Sequence, residues 1–206
     1  MENLTPLLEL SAARHNHLCP RQVLGVRMGL AGADHLDLRA PVQGKRLIII
    51  AETDGCFVDG LDVATGCNVG HRTMRIVDYG KVAATFVDKQ SERAVRLAPQ
   101  RDIREKAIQH SPDISKKYFA QLESYKTMPA EGMFTFQLVK LQQPISNFVS
   151  RAGVRINCSR CGEEIINERE IAKGGKAFCR SCAKEGYYSV LSTQATSPSS
   201  NGKRAS

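Results

Sequence analysis

No apolar run in this 206-residue chain approaches the twenty or so residues needed to cross a bilayer, and the longest, Leu47–Ala51, has the length of a strand. The opening Met-Glu-Asn-Leu-Thr-Pro lacks the basic start and apolar centre of a secretory signal. No internal repeat is present, which excludes a repeat architecture, and none of the 16 glycines builds a phosphate-binding loop. Disulfide scaffolding is also disfavoured, because four of the seven cysteines fall into a metal pattern and the others stand beside histidines or acidic residues. These absences predict a cytoplasmic protein with no membrane association.

What the chain does have is Cys158-Ser159-Arg160-Cys161 and, after seventeen intervening residues, Cys179-Arg180-Ser181-Cys182. Two C-x2-C pairs at this separation bring four thiolates around one Zn²⁺, each pair wrapping the metal through a tight knuckle, and Gly162 suits the sharp turn after the first. A closed four-Cys site leaves no position for water or substrate, so this is a structural zinc. It explains how residues 155–185 fold and says little about activity. The net charge of +8 is uneven: residues 1–150 carry 19 basic and 16 acidic side chains, a net of +3, and residues 151–206 carry 10 and 5, a net of +5. Five charges over the last 56 residues are a weak footprint for nucleic acid. After Val190 a Ser/Thr-rich run has nothing to bury and reads as disordered. The expected organisation is a core domain over 1–150, a four-Cys finger over 151–188 and a tail over 189–206.

Within the core, residues 3–13 space their leucines as an amphipathic helix. Next comes Arg14-His15-Asn16-His17-Leu18-Cys19-Pro20. If this segment is extended, His15, His17 and Cys19 face one way. Pro20 suits the first position of a helix running to about Leu30, which puts Cys19 at a helix N-terminus, where unpaired N–H groups favour a thiolate. Gly25 and Gly29, one turn apart, predict close approach of another element. Residues 46–51 read as a strand buried on both faces. It leads into Gly55-Cys56-Phe57-Val58-Asp59-Gly60, at the start of a helix reaching about Thr65. Cys56 and Asp59 share a face of that helix, at the carboxyl end of a central strand where open sheets place their sites. Cys67, some 16 Å farther along, is assigned to packing. Residues 71–77 and 81–87 are expected to pair as a hairpin through Asp78-Tyr79-Gly80. A further strand over 94–98, helices over 101–109 and 113–126, the second burying Ile114, Tyr118 and Leu122, and a last strand through Phe134, Phe136 and Leu138 complete the core.

His15-Asn16-His17-Leu18-Cys19-Pro20, Gly55-Cys56-Phe57-Val58-Asp59-Gly60, Thr65-Gly66-Cys67 and Asp78-Tyr79-Gly80-Lys81, in this order, resemble the formylmethanofuran dehydrogenase E-subunit family over residues 5–140. The resemblance implies an α+β fold: a mixed β-sheet flanked by helices, commonly dimeric, followed by a treble-clef-like zinc finger. It also implies a metal-binding core and an association with the molybdenum or tungsten enzyme that handles formylmethanofuran. Asn16 and Arg21 stand where the family pattern has glycine, and His71 where members commonly carry Lys.

The leading reading is a metalloprotein whose core site is built from His17, Cys19 and Cys56 with His15 and Asp59 close by. Mixed imidazole and thiolate donors suit Zn²⁺ or Fe²⁺ and leave a position open. In a catalyst, Asp59 moves a proton and Arg21 or Lys81 holds an anion. Two rivals stand beside it. One is a nucleic-acid-binding or regulatory protein acting through Arg160, Lys173, Lys176, Arg180 and Lys184 of the finger, where aromatic side chains for stacking are few. The other is a thiol redox protein using Cys19 and Cys56.

Overall fold

The computed structural model describes residues 4–148 and 153–192, and the chain divides into units 1–149 and 150–206. The first is organised by β1 (Leu47–Ala51), all five of whose side chains are buried. With β2 (Met74–Ile76), β3 (Ala84–Asp88), β4 (Ala94–Pro99) and β5 (Phe134–Leu138) it forms a sheet in the order β2-β1-β3-β4-β5. β1 is parallel to β2 and antiparallel to β3, and the other pairs are antiparallel, so the sheet is mixed. Successive strand side chains point to opposite faces. Leu47, Ile49 and Ala51 join Phe86, Val95 and Leu97 in the main core beneath the helices. Ile48 meets Val87 and Ala94 on the other face, which Val139, Leu141 and Ile145 partly cover.

Helices α1 (Thr5–Ala13), α2 (Pro20–His35), α3 (Cys56–Thr65), α4 (Ile103–His110), α5 (Lys117–Thr127), α6 (Ala130–Met133) and α7 (Ile145–Phe148) complete the unit. α2 starts at Pro20 as expected but continues five residues past Leu30. Gly32, beyond the expected end of the helix, lets it lie directly on the sheet: a Cβ there would sit 2.5 Å from the Phe86 ring. Gly25 has the close approach its sequence context predicts, and the partner is α3. A Cβ on Gly25 would lie 2.2 Å from the carbonyl oxygen of Phe57, and one on Gly60 would lie 2.4 Å from that of Gln22. The contacts advance together along both helices, from Gly25 against Gly60 to Gly29 against Ala64 and Thr65. α2 and α3 therefore run in the same direction with their N-termini at one end.

Three expectations are corrected. Residues 14–17 are turns and a bend, not an extended segment. Arg14 and His15 continue the winding of α1 through N–H bonds to Ser11 and Ala12, and Asn16 takes a left-handed φ of 58°. The alternation that would have aligned His15, His17 and Cys19 is lost. The hairpin between 71–77 and 81–87 does not form either, because β1 lies between the two strands. The connection crosses the end of β1, with the N–H of Val77 on Ala51 O and those of Tyr79 and Lys81 on Glu52 O. A central strand with two free edges outcompetes a local pairing. Finally, α5 begins only at Lys117 and buries Ala120, Leu122, Ser124 and Tyr125, leaving Tyr118 exposed.

In the second unit, β6 (Arg155–Asn157) pairs with β7 (Glu164–Ile166) and β8 (Ile171–Lys173) with β9 (Lys176–Phe178), followed by one helical turn, Ser181–Glu185. Among its described residues the buried apolar set is small: Cys158, Ile165 and Ala183. So little core does not hold a fold without a staple. The tail expected over 189–206 lies, from residue 193 onward, outside the described residues.

Candidate metal centres

The finger supplies its own staple. The sulfurs of Cys158, Cys161, Cys179 and Cys182 all lie within 4.8 Å of one another, and those of Cys161 and Cys179 are 3.9 Å apart. Four thiolates about 2.3 Å from a tetrahedral zinc have sulfurs about 3.8 Å apart, so the cluster has the dimensions of a zinc site. The backbone is arranged for anionic sulfur. Gly162 N–H returns to Cys158 O at 2.9 Å, and Cys179 N–H donates to the Cys158 sulfur at 3.3 Å. Backbone N–H groups of Cys161 and Cys179 hold the Cys158 thiol down at about 6. Cys182 is pushed up to about 12 by burial and by its three thiol neighbours. Four clustered sulfurs do not ionise together unaided, and a cation removes the conflict.

In the core, Cys19 is the N-cap of α2 and is buried. Its N–H donates to Gln22 Oε1 at 2.7 Å, and Gln22 Nε2 donates to Ser11 O at 2.7 Å. Gln22, itself fully buried, thus ties the start of α2 to the last turn of α1. Cys56 opens α3 after Gly55, whose φ of 77° admits the sharp entry. Because the two glycine-paired helices are parallel, these N-terminal cysteines lie at the same end of the pair. Burial, then a hydrogen bond and charge from Cys19, push the Cys56 thiol up. The N-terminus of α3 favours a thiolate at Cys56, but burial and the neighbouring Cys19 outweigh it there.

His15 is drawn to Asp59, with Nε2 2.5 Å from Oδ2. Arg14 bonds Asp62 at 2.7 Å and lies 3.7 Å from Asp59, which fixes that carboxylate from a second side. The His15 and His17 rings are 6.3 Å apart, and His17 Nδ1 is engaged with its neighbour's carbonyl, His15 O, at 2.8 Å. Asn16 performs at φ 58° the turn for which glycine is the easier residue. Arg21 is exposed on the first turn of α2. The Lys81 ammonium lies 5.9 Å from the centre of the Tyr79 ring. Cys67 is buried and donates to Leu47 O at 3.4 Å, in keeping with a packing role. Among the described residues, the finger cysteines are the group in which three or more candidate ligand atoms converge within 4.8 Å.

Tyr118 escaped the sequence reading. Its hydroxyl donates to Leu18 O at 3.4 Å, and burial, followed by the charges of Cys19 and Cys56, pushes that hydroxyl up. The hydroxyl thus lies beside the segment that carries Cys19, with the Phe119 ring edge-on to the Tyr118 ring at 5.3 Å. Both Tyr118 and Phe119 are exposed at the start of α5, and nothing local in the sequence distinguishes them from core aromatics.

Comparison with known proteins follows the same division. Residues 14–135 match the family described as FmdE, molybdenum formylmethanofuran dehydrogenase operon, and residues 152–188 match the prokaryotic dksA/traR C4-type zinc finger. Over 212 aligned residues the chain is 29% identical to a protein of Archaeoglobus fulgidus described as a probable S-adenosyl-L-methionine-binding protein. The match covers 91% of this chain and 55% of that one, so the chain spans about half the length of this relative. The crystal structure of an FmdE-like protein of tungsten formylmethanofuran dehydrogenase type from Syntrophus aciditrophicus is similar with a TM-score of 0.54 at 22% identity. That likeness covers 88% of this chain and 92% of that one and establishes the fold.

Proposed function

Because this chain belongs to the FmdE family and carries a C4 zinc finger behind the family's domain, we propose that it is a two-metal accessory protein. The finger, residues 151–188, holds a structural zinc. The core domain, residues 1–150, holds a second Zn²⁺ or Fe²⁺ through Cys19 and Cys56 with His17, and His15 stands close by on Asp59. The observation that supports this most is the glycine-tight α2–α3 crossing, which brings the N-terminal Cys19 and Cys56 to one end of two parallel helices. Thiolate and imidazole donors of this kind suit a borderline metal and leave room for a further ligand. His17 reaches the centre by giving up its contact with His15 O, an exposed bond that costs little to exchange. In this reading Asp59 moves protons through His15, and Arg21 and Lys81 attract an anionic ligand.

The family's operon supports a role beside a molybdenum or tungsten formylmethanofuran dehydrogenase, or in related one-carbon metabolism; that the protein acts there as a cytoplasmic homodimer is part of the proposal. Metal content per chain tests the core assignment. Cys158→Ala loses the finger metal, and Cys56→Ala loses the core metal while keeping the finger's. The reading fails when Cys56→Ala binds as much as wild type and Cys158→Ala accounts for the whole loss.

The same thiol adjacency favours a second reading, a redox pair. Cys19 and Cys56 then close a disulfide by exchange with an external disulfide, which takes up the two electrons and two protons and leaves as two thiols. A thiol count of the metal-free protein that stays constant under mild oxidant removes it.

A further inference from the structure

The far half of α2, away from its cysteine, forms one wall of an open cavity of about 610 Å³, bounded by Leu4 before α1, the turn after α2, the end of α5 and the start of α6. This volume lies within the range of small-molecule sites. Its walls divide by chemistry. Leu30, Ala31, Leu38 and Ala130 supply an apolar lining, and Arg27 and Arg39 stand among them.

The charges on the wall do not cancel. Asp37 is committed to Arg93 at 2.7 Å, and Lys126 to Glu123 at 2.8 Å. Among the described residues Arg39 has neither a hydrogen bond nor an ion pair through its side chain, and Arg27 bonds no carboxylate. Arg27 is half-buried, with Nη1 on the carbonyls of Tyr125 and Lys126 and Nη2 on that of Met128. Burial lowers its affinity for its proton, and the charge of Glu131 offsets this only in part. A half-desolvated guanidinium whose bonds all go to neutral carbonyls gains from an anion more than a surface cation does. Asp34, exposed on the same rim, is the single lining carboxylate left against two guanidinium groups.

We infer that this cavity is a binding site for a small amphipathic carboxylate, its apolar body against Leu30, Ala31, Leu38 and Ala130 and its head group between Arg27 and Arg39. The site is separate from the thiol pair and does not depend on a metal there.

The test uses three probes with one apolar body and different heads: octanoate, octanol and octylammonium. Each is titrated into the full-length protein while the methyl resonances of Ala31, Leu38 and Ala130 are followed by NMR. Octanoate is expected to shift those methyls saturably and to bind at least tenfold more tightly than octylammonium or octanol. Arg39→Gln, which removes no structural bond, weakens octanoate at least threefold. Arg27→Gln weakens it at least tenfold, provided its thermal unfolding shows a folded protein. Cys56→Ala leaves octanoate affinity unchanged, which separates this site from the core metal. The inference is overturned when octanoate moves none of the three methyls, when octylammonium or octanol binds as tightly, or when Arg39→Gln binds octanoate as wild type does.

Discussion

Replacing Gly25 with alanine adds one carbon at the tightest point between α2 and α3. That carbon would stand 2.2 Å from Phe57 O and 3.0 Å from Gly60 Cα, against an ordinary contact of 3.4 Å or more. Both obstacles are backbone, so no side chain swings aside and the helices must part by roughly 1 Å. Overpacking of this kind costs about 3 kcal/mol. Alanine returns about 1 kcal/mol through its better helix propensity. The net is a loss of about 2 kcal/mol, which in a domain of this size lowers Tm by roughly 4–8 °C. Gly60→Ala, facing Gln22 O at 2.4 Å, behaves alike. The double variant costs less than the sum, because one separation relieves both clashes. Gly132→Ala is the control: nothing lies within 4 Å of its added carbon, and its Tm stays within about a degree or two of wild type. The crossing also sets the spacing of the two helix N-termini that carry Cys19 and Cys56, so alkylation of Cys56 in the metal-free protein changes rate in Gly25→Ala and not in Gly132→Ala. Thermal unfolding followed by circular dichroism supplies the stabilities. A Gly25→Ala protein that melts at or above the wild-type temperature refutes the close-packed crossing.

Asp88, buried, accepts from Arg46 at 2.9 Å through both oxygens and from Ser91 Oγ at 2.7 Å. The Arg46 guanidinium holds its carboxyl well below the usual range. A depressed folded-state pKa contributes stability above the unfolded value of about 4 and loses it as pH falls. Asp88→Asn should therefore cost about 2 kcal/mol at pH 7 and progressively less below pH 4, read from urea midpoints; a gap independent of pH contradicts this. Gln22→Leu, which removes the tie between Cys19 N–H and Ser11 O, should cost about 2 kcal/mol by the same measurement. Chelation should abolish amide protection in 153–185 while leaving β1 and β3 protected, by hydrogen exchange; simultaneous loss in both units contradicts separate folding.

The elements legible in the sequence were those set by local chemistry. Pro20 and Gly66 punctuate α2 and α3, five apolar residues announce β1, and paired C-x2-C knuckles announce the finger. The misreadings share a cause in long-range competition. Asp78-Tyr79-Gly80 has the residues of a hairpin turn, but the strands on either side each find a full edge on β1, and the turn becomes a crossover beneath its end. His15-Asn16-His17 reads as alternation only if the segment is extended, and Asn16 tolerates the left-handed turn that makes it otherwise. Gly25 signalled an approach without naming its partner, since nothing local to residue 25 points to residue 60. Tyr118 was assigned to the core on spacing alone, and only the fold carries its hydroxyl to Leu18 O.

The account depends most on the cysteines of two parallel helices sharing one metal. An anomalous-scattering map of crystals of the purified, metal-loaded protein tests this directly. Two peaks per chain are predicted, one inside the four finger sulfurs and one touching the sulfurs of both Cys19 and Cys56. A map with its only peak in the finger, and the sulfurs of Cys19 and Cys56 turned apart, contradicts it.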